Sequence, residues 1–182
     1  MFSTLKHKTN WVLASIIIVG AVLRLLWLDK YPAGFTPDEA AFGYNAYSIL
    51  KTGKDEWGTP WWQLPATGLR SFGDYKLPLY SFLAIPGIKI FGLNEFATRL
   101  PNALLGTMAI LAVYLCATKL LKQSSVGLTA AALLAISPWA ISLSRGAFEA
   151  NLATFFLPLG LYLYLANKSF FSALVFSLGA YS

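Results

Sequence analysis

Two stretches of 18 residues without a single charge, 101–118 and 126–143, constrain the fold of this chain more than any other feature. A helix needs about 20 apolar residues to cross the hydrocarbon core of a bilayer. Of the 182 residues, 57% are hydrophobic and only 12% are charged, which is about half the charged share of a soluble domain. The sequence therefore indicates a multi-pass membrane protein and disfavours a soluble enzyme, a disordered chain or a disulfide-rich scaffold.

The apolar residues predict an all-α, polytopic membrane protein with four complete spans and a partial fifth. We expect a kink at Pro138, near the outer end of the third span, because proline removes a helix hydrogen bond. The predicted spans are 11–28, 101–118, 126–143, 152–166 and, for the partial one, 169–182.

The net charge of +6 arises from an uneven distribution of lysine and arginine. The segment 29–99 is neutral, with seven basic and seven acidic residues, whereas five lysines without acidic neighbours occupy the N-terminal tail and two short connectors: Lys6, Lys8, Lys119, Lys122 and Lys168. Short cytoplasmic loops are enriched in such residues. The pattern predicts a cell-membrane protein with a cytoplasmic N-terminus and an outer 29–94 loop, and it argues against nucleic acid as a partner.

The 29–94 loop is long enough to be functional, and two of its segments are predicted to be amphipathic helices at the interface. The first is 37–52, because Thr36 to Glu39 forms a capping box with Pro37 at the first helical position and Gly53 can end the helix. The second is 77–91, whose uncharged part is too short to span a bilayer.

Asp38 and Glu39 open the first of these helices and are the predicted catalytic residues. Helix capping alone could explain both carboxylates, because a helix N-terminus favours negative charge. However, the capping box occupies Glu39 and leaves Asp38 free to face a cavity, ionised as a general base must be. Both interpretations stay open on local grounds.

Several charged residues are candidates for binding an anionic substrate such as a lipid phosphate: Asp74, Lys76, Arg99, Arg24, Arg145 and Glu149. Lys76 could bind a phosphate or form a solvated pair with Asp74. Arg24 could be an interface anchor or a phosphate ligand. Glu95 and Arg99 are spaced for a helical i,i+4 pair, as are Arg145 and Glu149.

Several kinds of site are excluded by composition. The chain has no Gly-rich nucleotide-binding motif, and its only histidine is His7. A zinc site of the usual His/Cys kind and a Ser-His-Asp triad therefore cannot form. The sequence predicts no metal site and specifies no cofactor, and a requirement for a divalent metal stays open.

The order of five motifs closely resembles the N-terminal part of GT-C-fold membrane glycosyltransferases of the protein O-mannosyltransferase and aminoarabinose transferase type, also called family-39-like. The motifs are FTPDEAAFGYNAYSILKTGKDEWG (35–58), DYKLPLY (74–80), FGLNEFATRLPNALLG (91–106), SPW (137–139) and SRGAFE (144–149). The resemblance extends over about 11–165, and the combination is more specific than any motif alone.

This resemblance implies transfer of a sugar from a polyprenyl-phosphate donor to an acceptor hydroxyl, on a glycan, lipid or protein, at the outer face. Asp38 matches the catalytic base of the family's Asp-Glu pair, and Lys76 matches a lysine that contacts the donor phosphate. Arg99 matches the arginine of an R-L-P motif, and Glu149 falls near a further acidic position. Leu77 replaces the first proline of the family's acid-x-Lys-Pro-Pro-Leu motif.

Three alternatives remain beside an inverting transferase. One is a transporter or lipid-handling protein, which the scarcity of ionisable residues within the spans disfavours. The second is a non-catalytic scaffold. The third is an inactive fragment or a truncated product, because relatives have more membrane spans. The exposed aromatic residues could form the floor of a sugar site or anchor the loop at the interface: Trp57, Trp61, Trp62 and Tyr75.

Overall fold

The computed structural model describes residues 2–65 and 68–182, with side chains from residue 9 onward. Lys6, His7 and Lys8, which contribute to the predicted orientation, therefore have no described side chains. The described chain is mostly helical, as predicted. Its elements are α1 (Phe2–Leu25), α2 (Pro37–Thr52), β1 (Leu69–Ser71), β2 (Asp74–Lys76), α3 (Leu79–Phe91), α4 (Glu95–Leu121), α5 (Ser124–Ile136), α6 (Pro138–Arg145), α7 (Ala153–Leu165) and α8 (Ser169–Ala180).

Helix α4 is the central element and contacts α1, α2, α3, α5, α6 and α7. Its buried face is rich in small residues, which allow helices to approach closely: Ala97, Ala103, Gly106, Ala109 and Ala112. At Gly106 a Cβ atom would lie 2.3 Å from Ser144 Oγ of α6. The backbone of α4 therefore lies directly against its neighbour at this position.

Among the described residues, α4 is the one unbroken helix that is long and apolar enough to cross a membrane. Helices α5 and α6 meet the same criterion as a pair bent by 58°. The break confirms the kink predicted at Pro138, which begins α6 after the cap residue Ser137. The apolar parts of α1, α3 and α8 are shorter, so four complete spans stay a prediction.

The two helices expected in the 29–94 loop are both present, and they pack against each other. Helix α2 has the predicted bounds, and Gly53 follows it in the left-handed conformation at φ 71°. Helix α3 begins at Leu79, two residues later than predicted, because Lys76 belongs to β2. Phe42 of α2 and Tyr80 of α3 lie in the main hydrophobic cluster, 4.8 Å apart between ring centres.

A β-hairpin, which the sequence analysis did not predict, precedes α3. Strands β1 and β2 are antiparallel, with Leu69 opposite Lys76 and Ser71 opposite Asp74. Phe72 and Gly73 form the two-residue turn, and both have positive φ, 50° and 80°. Such turns usually contain Asn-Gly or Asp-Gly, so Phe-Gly gave a weak signal. The hairpin places Lys76 at the start of α3 with its side chain buried.

Candidate active site

The N-terminus of α2 has the capping box predicted from the sequence. Glu39 N donates to Thr36 Oγ1 at 3.3 Å, and Thr36 N donates to Glu39 Oε2 at 3.0 Å. These reciprocal bonds satisfy two backbone N–H groups that a helix end otherwise leaves unpaired. They also fix the backbone around Asp38, which lies between the two capping residues.

Glu39 also forms a buried ion pair with Arg99 of α4. Arg99 Nε lies 2.7 Å from Glu39 Oε1 and Arg99 Nη2 lies 3.2 Å from Glu39 Oε2. A fourth donor, Ala147 N, reaches Oε1 at 3.1 Å. Burial alone would raise the pKa of Glu39, but the hydrogen bonds from Arg99, Thr36 and Ala147 hold this pKa below its usual value. Each carboxylate oxygen thus accepts two N–H groups, and Glu39 is only 1% exposed.

The remaining N–H groups of Arg99 bind the backbone that leads into α2. Arg99 Nη1 donates to Leu28 O at 3.1 Å and Pro32 O at 3.0 Å, and Nη2 donates to Gly34 O. With the two bonds to Glu39, these use all five donors of a guanidinium. The i,i+4 pair of Arg99 with Glu95 considered in the sequence analysis is therefore wrong. Arg99 instead ties the loop to α4.

Arg24 and Arg145 likewise bind backbone carbonyls, mostly at helix C-termini. Arg24 donates to Leu134 O and Ala135 O, at 2.9 and 3.0 Å, where the bend before α6 interrupts the helix ladder. Arg145 donates to carbonyls of the last turn of α1 and the residues after it: Leu23, Leu26, Trp27 and Tyr31. Carbonyls at helix ends lack intrahelical partners and attract cations.

The three arginines that were predicted to bind phosphate therefore bind groups of the protein itself in this structure. Arg24 and Arg99 are fully buried, so Arg24 is not the snorkelling interface anchor either. Arg145 is bound to the α1 end and, within the described residues, forms no ion pair with Glu149. Sequence spacing could not reveal these contacts, because each joins residues at least 60 positions apart. The bond of Arg24 to Gly20 O is the exception.

Asp38 and Lys76 meet in an ion pair, with Lys76 Nζ 2.6 Å from Asp38 Oδ1. The lysine side chain is 8% exposed, whereas the aspartate side chain is 49% exposed. Among the described residues, Asp38 has no further hydrogen-bond partner, so its second oxygen is open to solvent. Asp38 and Lys76, to which the resemblance gives roles in the same reaction, are thus in direct contact.

Two further carboxylates surround Lys76. Asp74 Oδ2 lies 3.7 Å from Lys76 Nζ, and Glu149 is near enough to act on the ammonium electrostatically. Burial alone would lower the pKa of Lys76, but Asp38, then Glu149 and Asp74, raise this pKa above its usual value. The ammonium also lies 5.8 Å from the ring centre of Phe42. Lys76 therefore stays charged at neutral pH while mostly buried.

Four aromatic residues of the loop are exposed. Trp57 donates through Nε1 to Arg70 O at 2.8 Å and stacks under the Arg70 guanidinium. Trp61 packs edge-on against Trp62 and Phe82. Half or more of each side chain is exposed for Trp57, Trp61, Trp62 and Tyr75. Both interpretations, a sugar-binding floor and an interfacial anchor, fit this exposure.

The arrangement defines a helical membrane protein with an accessible carboxylate held against a buried lysine at the start of a loop helix. Within the residues whose side chains are described, no group of three or more His, Cys, Asp or Glu could hold a metal ion.

Comparison with known proteins agrees with this class. Residues 76–179, more than half of the chain, match the family described as dolichyl-phosphate-mannose-protein mannosyltransferase. The chain belongs to this family of membrane-embedded glycosyltransferases. The match begins at Lys76, so Asp38 and Glu39 precede it.

A relative in Aquifex aeolicus (strain VF5), named only as an uncharacterized protein, is 28% identical over 152 residues. The alignment covers 82% of this chain and 28% of the relative, so the chain spans less than a third of that protein's length. No solved structure matches the chain.

Proposed function

We propose that this chain forms the N-terminal part, 1–182, of a GT-C-like transmembrane domain that transfers a sugar from a polyprenyl-phosphate donor to an acceptor hydroxyl. The proposal places the 29–94 loop on the outer face of the cell membrane and the N-terminus in the cytoplasm. One observation carries it: the half-exposed Asp38 carboxylate lies against the buried Lys76 ammonium, in a chain that belongs to a glycosyltransferase family.

In the proposed reaction Asp38 is the general base. The acceptor hydroxyl oxygen attacks the anomeric carbon of the donor sugar from the face opposite the phosphate, and its proton passes to Asp38. The bond between the anomeric carbon and the phosphate oxygen breaks, and polyprenyl phosphate leaves with the bonding electrons. Attack from the opposite face inverts the anomeric configuration. The open oxygen of Asp38 supports this role, because a base must reach the proton it removes.

Lys76 is the proposed partner of the donor phosphate. A buried ammonium is held in place and stabilises negative charge more strongly than one in water. Since Lys76 is bound to Asp38 here, a donor phosphate has to share the ammonium with that carboxylate. Asp74 and Glu149 keep the lysine protonated, and we assign them to the substrate-binding region for this reason.

Arg24, Arg99 and Arg145 enter the proposal as positioning residues. Arg99 and Arg145 bind the backbone of 26–34 from α4 and α6, and Arg99 also binds Glu39, the neighbour of Asp38. This framework fixes the start of α2 relative to α4. The acceptor, which could be a glycan, a lipid or a protein, and the sugar are left unspecified by these contacts.

The test is sugar transfer by the full-length protein in isolated membranes, with a polyprenyl-phosphate-linked sugar as donor. Asp38→Asn keeps the size of the side chain and removes the base, so we expect the rate to fall by about 10²–10⁴-fold. Asp29→Asn, an exposed residue of the same loop, is the matched control and should transfer normally. Transfer by Asp38→Asn at the wild-type rate would favour the scaffold or lipid-handling alternatives.

A further inference from the structure

We propose that the end of the helix bundle opposite the Asp38–Lys76 pair binds the phosphate headgroup of an anionic phospholipid. A cavity of about 450 Å³ lies there between α4 and α7, within the range of about 300–1,000 Å³ typical of small-molecule sites. Two lysines, two tyrosines, a threonine and a leucine line it: Tyr114, Leu115, Thr118, Lys119, Lys122 and Tyr162.

The cavity and the Asp38–Lys76 pair lie at opposite ends of α4. Arg99, in the second turn of this helix, binds Glu39 beside Asp38. Lys119 is in its last turn, and Lys122 follows it. A helix of 27 residues is about 40 Å long at 1.5 Å per residue, close to the full thickness of a bilayer with its headgroup regions. The cavity is therefore at the depth of the headgroups of the other leaflet.

The charge at this end is entirely positive. None of the eight acidic residues of the chain lies between 96 and 148 or after Glu149. Among the side chains described, Lys119 and Lys122 form no ion pair. Lys168, just after α7, adds a third cation at the same end. Basic cavities between membrane helices are suited to anionic headgroups, which supply the missing negative charge.

The cavity also offers hydroxyl groups that have no partner inside the described part of the protein. Neither Tyr114 nor Tyr162, both half-buried, has a hydrogen bond from its phenol group, whereas Thr118 Oγ1 is buried against Gly127 of α5 and is not available to a ligand. Hydroxyl and ammonium groups donate to phosphate oxygens, and charge-assisted bonds of this kind are strong. The lining therefore matches a phosphate better than it matches an acyl chain.

Lys122 provides an independent argument. It adopts the left-handed conformation at φ 55° directly after α4, where glycine or asparagine is usual because other side chains are strained there. Glycine would end the helix more easily. A lysine at this position is accounted for if its charge is needed in the cavity.

The experiment titrates the full-length protein in detergent with phosphatidylglycerol or phosphatidylcholine of identical acyl chains, and counts bound lipid by native mass spectrometry. We expect phosphatidylglycerol to bind more tightly. A lysine near an anionic group contributes about fivefold in affinity, so Lys119→Gln combined with Lys122→Gln should reduce phosphatidylglycerol binding by about 25-fold. Lys30→Gln with Lys54→Gln removes equal charge from exposed loop positions and should leave binding unchanged.

The variant Lys122→Gly separates an effect on binding from an effect on folding. It removes the positive charge and at the same time relieves the backbone strain at this left-handed position. We expect an unchanged or higher unfolding temperature together with about fivefold weaker phosphatidylglycerol binding. Equal binding of both lipids, or full binding by the Lys119/Lys122 double variant, would overturn the proposal. Displacement of the lipid by excess inorganic phosphate would show a general phosphate site and overturn the assignment to a lipid, whereas retention of the lipid supports it.

Discussion

Lys76 Nζ lies 2.6 Å from Asp38 Oδ1, although 37 residues separate the two positions and Lys76 is the last residue of the β-hairpin. The pair is asymmetric: the lysine is almost completely buried and the carboxylate is half exposed. A buried lysine without a partner would tend to lose its charge, so Asp38 maintains the cation. Within the described part of the chain, the exposed side of the pair is that of Asp38.

Lys76→Ala should weaken use of the donor more than it weakens the chemical step. The variant loses the proposed phosphate contact but keeps the base, so we expect the KM for the polyprenyl-phosphate sugar to rise by about tenfold to 100-fold, with a smaller fall in kcat. Steady-state transfer at varied donor concentration measures both. Lys30→Ala, at an exposed loop position, is the control. An unchanged KM would show that Lys76 only neutralises Asp38.

Glu39→Gln should destabilise the protein strongly, although glutamine can also complete a capping box. Each carboxylate oxygen of Glu39 accepts two N–H groups. A glutamine amide would turn its own N–H groups toward such donors and leave the buried Arg99 charge uncompensated. Breaking a buried pair costs about 3–5 kcal/mol. Thermal unfolding in detergent would measure the loss, and Glu95→Gln, an exposed residue of α4, should change little.

The same residue predicts how stability depends on pH. Because the pKa of Glu39 is lower in the folded protein than in the unfolded chain, its contribution is fully present above the unfolded value of about 4.3. The contribution is lost as the pH falls through the folded pKa. The unfolding temperature should therefore begin to drop as the pH falls below about 4.3. Glu39→Gln should show a shallower drop, and an equally steep one would contradict the assignment.

Local signals in the sequence were sufficient to predict those elements of the fold that are determined by neighbouring residues. The capping box of Thr36 and Glu39 lies within four consecutive positions, and Pro138 marks the bend by its own chemistry. These predictions were correct because helix caps and proline breaks are determined within one turn. The hairpin was missed because its Phe72–Gly73 turn lacks the usual asparagine or aspartate.

The partners of the arginines could not be predicted from spacing. A guanidinium has five donors, and carbonyls at any helix end or loop can accept them. Arg145 reaches Tyr31 from 114 positions away, and only the packing of α6 against α1 brings them together. The resemblance assigned Asp38 and Lys76 to one reaction, which periodicity and composition do not, but their direct ion pair was not predicted.

The orientation of the protein in the membrane is the last prediction. The lysine bias places 122–123 in the cytoplasm and 29–94 outside. Single cysteines at Gln123 and Lys30, both exposed, can test it in intact cells after the native Cys116 is replaced by alanine. A membrane-impermeant thiol reagent should label position 30 in intact cells and position 123 only after the membrane is opened. Labelling of position 123 but not 30 in intact cells would show that the orientation is the opposite of the predicted one. The Asp38–Lys76 pair would then lie at the other leaflet.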